Sequence, residues 1–236
     1  MAILRLMTED AANSPAPATV DAGSGKKRKR AEGMSRFEAF SDAVLAIVMT
    51  LLVLELLPDG AQSPEQLLAA WPTYLAFVTA FLTVGVVWLN HNQMVSRIRR
   101  ADPVVQVANL GILLGATLMP WPAALISSAL EEGDRAEQIA AILVFAIVTV
   151  VISVPWLALD LYLVRHPSLL VSAADTSWFR SHSRISLWTL AAAGVSIALA
   201  FASPLASLVL YAVVVVSFLV VRLREGIAGR GELEDE

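Results

Sequence analysis

The strongest constraint on the fold is the distribution of apolar residues, which form six long segments separated by short polar connections. A helix needs about 20 predominantly apolar residues to cross a bilayer. With 57% hydrophobic and 16% charged residues, the chain is far more apolar than a soluble domain needs for its core. The sequence therefore predicts an all-α membrane protein with six transmembrane helices, at approximately 37–57, 72–95, 104–129, 138–164, 185–202 and 204–222.

Prolines mark the expected breaks in these segments. Ser203-Pro204 divides the final apolar run into two short spans that form a helical hairpin. Pro120 and Pro122 are expected to kink or end the third span, and Pro155 to kink the fourth. Such prolines are tolerated where neighbouring helices satisfy the freed carbonyls.

Lysine and arginine alternate between the connections and predict the orientation of the chain. The first and fifth connections have none, and the third has only Arg135. The remaining segments carry basic clusters: the N-terminal arm (26–30 and Arg36), the second connection (Arg97, Arg99, Arg100), the fourth (Arg165, Arg180, Arg184) and the tail (Arg222, Arg224, Arg230). Because cytoplasmic connections carry the excess of basic residues, both termini are predicted to be cytoplasmic. With no organelle signal or cleavable signal peptide evident, we expect a multi-pass protein of a prokaryotic plasma membrane.

Composition outside the spans divides the chain into three parts. Residues 1–35 are predicted to be a disordered cytoplasmic arm, 36–223 a six-helix unit, and 224–236 a short charged cytoplasmic tail. The basic run at 26–30 is expected to set the topology and to touch anionic lipid rather than nucleic acid. The chain has no cysteine, and its histidines lack metal-ligand spacing, so neither a metal nor a cofactor is expected.

The first span has two faces with different chemistry. At about 100° per residue, Ile47, Thr50, Leu51 and Leu54 share one face, which Phe40 and Ala43 continue toward the cytoplasm. Asp42 lies about 140° away from Ile47. Periodicity alone favours ordinary helix packing over a pore lining for the apolar stripe.

A carboxylate two turns inside a span needs a polar partner, and the second span offers one. His91 lies as far from Arg97 as Asp42 lies from Arg36. We therefore predict a buried cluster of Ser41, Asp42, Trp88, Asn90 and His91, with Arg36 closing it from the cytoplasmic side. The alternative is that Arg36 and Arg97 lie at the membrane interface and extend to water. The cluster lacks a nucleophile or a second carboxylate, so an enzyme is not expected. His166 and His182 are predicted to be solvated in the fourth connection.

Residues 36–56, RFEAFSDAVLAIVMTLLVLEL, resemble the first-helix signature of the transmembrane protein 175 family of potassium-permeable channels. The hallmark is an arginine, three residues and then Phe-Ser-Asp, which Arg36, Phe40, Ser41 and Asp42 match. WLNHN at 88–92 resembles the partner motif of the second span.

The resemblance implies a homotetramer in which four first helices line a central pore without a pore loop. Ile47 would form the main hydrophobic ring, Leu51 and Leu54 the rings above it, and Thr50 a hydroxyl layer that favours potassium. The network that holds the pore helix in place would comprise Arg36, Phe40, Ser41, Asp42, Trp88, Asn90 and His91. Glu55 is expected near the extracellular mouth, as a source of cation attraction or as a polar end to the span.

The predicted function is a potassium-permeable cation channel with a hydrophobic constriction. Its expected partners are other copies of the chain, potassium and other monovalent cations, and the lipid bilayer. A proton-coupled cation carrier with Asp42 and His91 as relay groups is the main alternative. A membrane enzyme or assembly factor is a more distant one. Unitary conductance separates the first two, because a carrier cannot match the throughput of a continuous pore.

Overall fold

The computed structural model describes residues 22–56, 63–131 and 133–234, which form helices joined by short connections. Short 3₁₀ turns at Leu52–Leu56 and Pro167–Leu169 follow the first and sixth helices. The helices are α1 (Ala22–Leu51), α2 (Pro64–Ala69), α3 (Trp71–Arg97), α4 (Pro103–Thr117), α5 (Pro120–Glu131), α6 (Arg135–Arg165), α7 (Asp175–Ala200) and α8 (Pro204–Glu234).

The helices confirm the prediction of an all-α chain with several apolar segments. Five described segments are long and apolar enough to cross a membrane: Glu32–Leu54, Trp71–Arg97, Pro103–Glu131, Arg135–Arg165 and Asp175–Ala200. Pro204–Val220 is a shorter apolar helix.

Proline has different effects in the third and fourth predicted spans. The third is divided into α4 and α5 by a break at Leu118 and Met119, directly before Pro120. This agrees with the steric restriction that proline places on the preceding residue. In contrast, α6 continues through Pro155.

Three boundaries differ from the sequence prediction. α1 begins at Ala22, so residues 22–35 are helical rather than part of a disordered arm, while residues 1–21 lie outside the described part. Alanine, lysine, arginine and glutamate are good helix formers, so the high charge of this segment does not prevent it from forming a helix. α7 begins at Asp175 rather than at 185, and α8 continues to Glu234 through most of the predicted tail.

The connections pair at the two ends of the bundle. At one end, the backbone N–H of Arg99 donates to Leu169 O at 2.8 Å, and that of Val171 donates to Arg97 O at 2.9 Å. At the other end, Nη2 of Arg135 donates to the carbonyl oxygen of Phe201 at 2.7 Å. The second and fourth connections therefore share one end, and the third and fifth share the other.

Asp102 ties the start of α4 to the end of α6. Its Oδ1 accepts from the backbone N–H of Val105 at 2.9 Å, and its Oδ2 accepts from the Tyr162 hydroxyl at 2.7 Å. Burial alone would raise the pKa of Asp102, but these hydrogen bonds outweigh it and lower the pKa below its ordinary value. The carboxylate is thus held in its ionised form.

Close packing of α4 on α6 gives a stability prediction for Gly115, with Gly85 on α3 as the comparison. A Cβ at Gly115 would lie 2.9 Å from the backbone nitrogen of Ile152, whereas a Cβ at Gly85 would meet nothing nearer than Met49 Cε at 3.9 Å. We expect Gly115→Ala to lower the free energy of unfolding by about 1–3 kcal/mol, because backbone cannot move aside easily. Gly85→Ala should be neutral or slightly stabilising. Melting temperatures of the two variants in one detergent test this, and equal values would contradict it.

Candidate functional site

The apolar stripe of α1 is not covered by any part of the chain that the structure describes. Ile47, Leu51 and Leu54 are 59%, 44% and 53% exposed, and Thr50 between them is also exposed. The hydroxyl of Thr50 donates to the carbonyl oxygen of Ile47 at 2.7 Å. The opposite face of α1 and its 3₁₀ extension is packed in the core through Leu45, Val48 and Leu52. The first helix is therefore anchored on one side and unpartnered on the other.

Asp42 connects α1 to α3 through an indole. Nε1 of Trp88 donates to Asp42 Oδ1 at 3.0 Å; Trp88 is exposed and Asp42 is partly buried. A hydrogen bond to a carboxylate is among the stronger kinds that a neutral donor can form. Phe40, two residues before Asp42, is exposed on the side of the apolar stripe.

A second set of contacts lies deeper and joins α1, α3 and α4. Nδ2 of Asn109 donates to Ser41 Oγ at 2.9 Å, and its Oδ1 lies 2.8 Å from Nε2 of His91. Because the amide oxygen only accepts, Nε2 of His91 is the donor. Ser41 in turn donates to the carbonyl oxygen of Phe37 at 3.1 Å. All three linked side chains are buried, so Asn109 bridges the first and second apolar helices from a third.

Sequence reasoning missed Asn109. A signal was available, because it is an amide near the start of an apolar helix, six residues from Pro103 just as His91 is six residues from Arg97. Its role could not be assigned without the packing of α4 against α1.

The family model described as endosomal/lysosomal potassium channel TMEM175 matches residues 36–120. That range contains the apolar stripe, both sets of hydrogen bonds and the whole of α4. Over residues 36–120, the chain is similar to the TMEM175 family. The resemblance of its first and second spans to this family is thereby confirmed, and the family is one of channels rather than an enzyme class.

Three relatives extend the comparison. A potassium channel of Streptomyces collinus is 40% identical over 134 residues, which are 55% of this chain and 64% of the relative. The crystal structure of a lysosomal potassium-selective channel TMEM175 homolog from Chamaesiphon minutus is 28% identical, with a TM-score of 0.63. That match covers 79% of this chain and 96% of the other. The human endosomal/lysosomal proton channel TMEM175 is 35% identical over 86 residues, 31% of this chain and 17% of the human protein.

Asn90 and Arg36, two predicted members of the polar cluster, have no described hydrogen bond to Asp42. Asn90 is buried on α3 but lines a different cavity, and its Oδ1 has no hydrogen-bond partner among the described residues. Arg36 is exposed, and no described hydrogen bond joins it to Asp42. The side chain of Glu55 lies outside the described residues. The structure thus divides the predicted single cluster into the Asp42–Trp88 pair and the Ser41–Asn109–His91 chain.

A further polar cluster lies outside the TMEM175 segment and was also missed. Nδ1 of His182 is 2.8 Å from Asp160 Oδ2, and the Ser186 hydroxyl donates to the same oxygen at 3.4 Å. Trp178 stacks on His182 at 4.9 Å. The prediction that His182 is solvated is wrong, because α7 begins early and buries it against α6. His166 is exposed, as expected.

The cavity that Asn90 lines is lined by residues of four helices and has a volume of about 90 Å³. Thr149, Ser153, His182 and Tyr211 also face it, so its wall combines hydroxyl, amide and imidazole groups with aromatic rings. A cavity of this size and polarity has room for a few waters. No residue of α1 lines it among the described residues.

Proposed function

We propose that the chain forms a potassium-permeable cation channel, with α1 lining the pore. The observation that carries the proposal is the exposure of Ile47, Thr50, Leu51 and Leu54 on a helix whose other side is fixed by buried residues and hydrogen bonds. The names of the Streptomyces and Chamaesiphon relatives support potassium as the permeant ion.

The proposed assembly is a homotetramer in which four α1 stripes meet at a central axis. Each chain would cross the membrane six times, with α8 as the shorter sixth span and both termini in the cytoplasm of a prokaryotic cell. The pairing of the arginine-rich second and fourth connections at one end of the bundle supports this orientation.

Ile47 would form the constriction, with Leu51 and Leu54 as wider apolar rings beyond it. An aliphatic ring offers a cation nothing in exchange for its water, so a narrow ring closes the pore by dewetting. Opening requires the ring to widen enough for a hydrated or partly dehydrated ion.

Thr50 would supply the polar layer next to that ring. Its hydroxyl proton is directed to the carbonyl of Ile47 at 2.7 Å, which leaves the oxygen lone pairs available to a cation. Four such oxygens give weaker coordination than a filter of backbone carbonyls, so modest selectivity is expected. Glu55 would lie near the extracellular mouth and raise the local cation concentration.

Proton transport is the second candidate function. The human relative is named a proton channel, and two titratable groups are available: Asp42 on the proposed pore helix and His91 on α3 beside it. In a proton-coupled carrier these two side chains would be relay groups, whereas in the channel they hold α1 in position.

Planar bilayers with potassium on one side and sodium on the other distinguish the two functions. We expect resolved single-channel steps and a reversal potential displaced toward that of potassium. A preparation without steps, but with slow potassium uptake into proteoliposomes that follows a proton gradient, would favour the carrier.

A further inference from the structure

We infer that an open cavity between α1 and α4 binds the phosphate head group of an anionic phospholipid. The cavity has a volume of about 650 Å³. It is lined by Arg36 and Phe37 from α1, by Arg100 before α4, and by Gln106 and Leu110 of α4. None of its described lining residues is acidic, so its charge is positive.

The two arginines are available to an anion. Arg36 and Arg100 are both exposed, and a guanidinium presents several donors in a fixed fork that suits phosphate oxygens. Two acidic residues lie near the arginines: Glu32 is four residues before Arg36 on α1, and Asp102 lies close enough to Arg100 for its pKa to be lowered by that arginine. Both carboxylate oxygens of Asp102 are already hydrogen-bonded, to Val105 N–H and to the Tyr162 hydroxyl. Asp102 therefore weakens the positive field without occupying the arginine.

The remaining walls favour a lipid over a free anion. Phe37, Phe40 and Leu110 give the cavity an apolar side next to its cationic side, and Phe40 is 54% exposed. A phospholipid matches this combination, with its phosphate on the arginines and the start of its acyl chains on the rings. Inorganic phosphate would leave the apolar side exposed.

In the proposed membrane orientation, the cavity lies at the depth of the lipid head groups. It lies where α1 and α4 enter the proposed cytoplasmic side of the bilayer, and basic pockets between helices on that side bind anionic head groups. The inference rests on the proposed membrane orientation, but not on ion conduction.

Lipid retention by the purified full-length chain tests the site. The probe is phosphatidylglycerol in a neutral detergent, with phosphatidylcholine as the uncharged comparison, followed by native mass spectrometry. We expect preferential retention of phosphatidylglycerol and a loss of about fivefold in Arg100→Gln, the effect typical of one basic residue at a membrane surface. Arg100→Lys should keep most of the retention, because it keeps the charge.

Arg99→Gln is the matched control. Arg99 is the adjacent arginine, but its side chain donates to the carbonyl oxygen of Ser168 and does not line the cavity. An equal loss in Arg99→Gln, or equal retention of the two lipids by the unchanged chain, would overturn the inference.

Saturable binding of inorganic phosphate that displaces phosphatidylglycerol would assign the cavity to a free anion instead. If Arg100→Gln separates the subunits without changing lipid retention per chain, the cavity is a contact between copies, and the inference is also wrong. The potassium–sodium bilayer measurement is independent of all these outcomes.

Discussion

Replacing Ile47 with asparagine should produce a channel that stays hydrated, conducts more potassium and discriminates less between potassium and sodium. The amide hydrogen-bonds water at the position where the proposed closed ring excludes it. A reduction of about 1.4 kcal/mol in the barrier raises the flux about tenfold. We therefore expect potassium currents in planar bilayers to rise by about this factor, with a reversal potential between the two cations shifted toward zero.

Ile147→Asn is the control for Ile47→Asn. Ile147 lies on α6 and is 59% exposed, the same fraction as Ile47, but α6 has no part in the proposed pore lining. The control introduces the same polar group at an equally exposed isoleucine, so it reports any general effect on membrane insertion. Its currents and reversal potential should match those of the unchanged protein. If Ile47→Asn also leaves both quantities unchanged, Ile47 does not line the pore.

The two-sided character of the first helix could be predicted from the sequence, because helical periodicity is fixed by backbone geometry. The angle of about 140° between Asp42 and Ile47 already separates the polar contacts from the stripe. The structure places Asp42 against Trp88 and leaves Ile47 exposed, in agreement with that separation. The family segment was recognisable for a similar reason, since charged and apolar residues follow one another in a fixed order within one helix.

The partners of buried polar groups could not be predicted in the same way. Hydropathy placed the start of the fifth span at 185, because His182, Ser183 and Arg184 reduce the apolar character of the preceding turn. α7 nevertheless extends back to Asp175, since burial of His182 is compensated by Asp160 on α6. Such pairing depends on which faces of two distant helices meet, and no local pattern records it.

Asn109→Leu is expected to have the largest effect on stability among the residues of the candidate site. Leucine has a similar size but cannot bond to Ser41 Oγ or to Nε2 of His91. Nδ1 of His91 already has no hydrogen-bond partner among the described residues, so the ring would lose the contact that the amide supplies. Nε2 of His91 would be left without its partner, whereas Ser41 would still donate to the carbonyl oxygen of Phe37. One buried polar group left without its partner costs about 1–3 kcal/mol. Thermal unfolding in detergent should show a clear decrease in the melting temperature.

Asn92→Leu provides the matched comparison on α3. Asn92 follows His91 directly and is exposed, so its replacement removes an amide without breaking a buried contact. Its melting temperature should stay close to that of the unchanged chain.

Single-channel recordings then separate a structural role of Asn109 from a positioning role. If the Ser41–Asn109–His91 chain holds α1 at the pore, the Asn109→Leu channels that remain folded should show altered unitary conductance or unstable openings. Normal unitary currents in an otherwise destabilised protein would mean that these hydrogen bonds support the bundle but do not set the geometry of the pore.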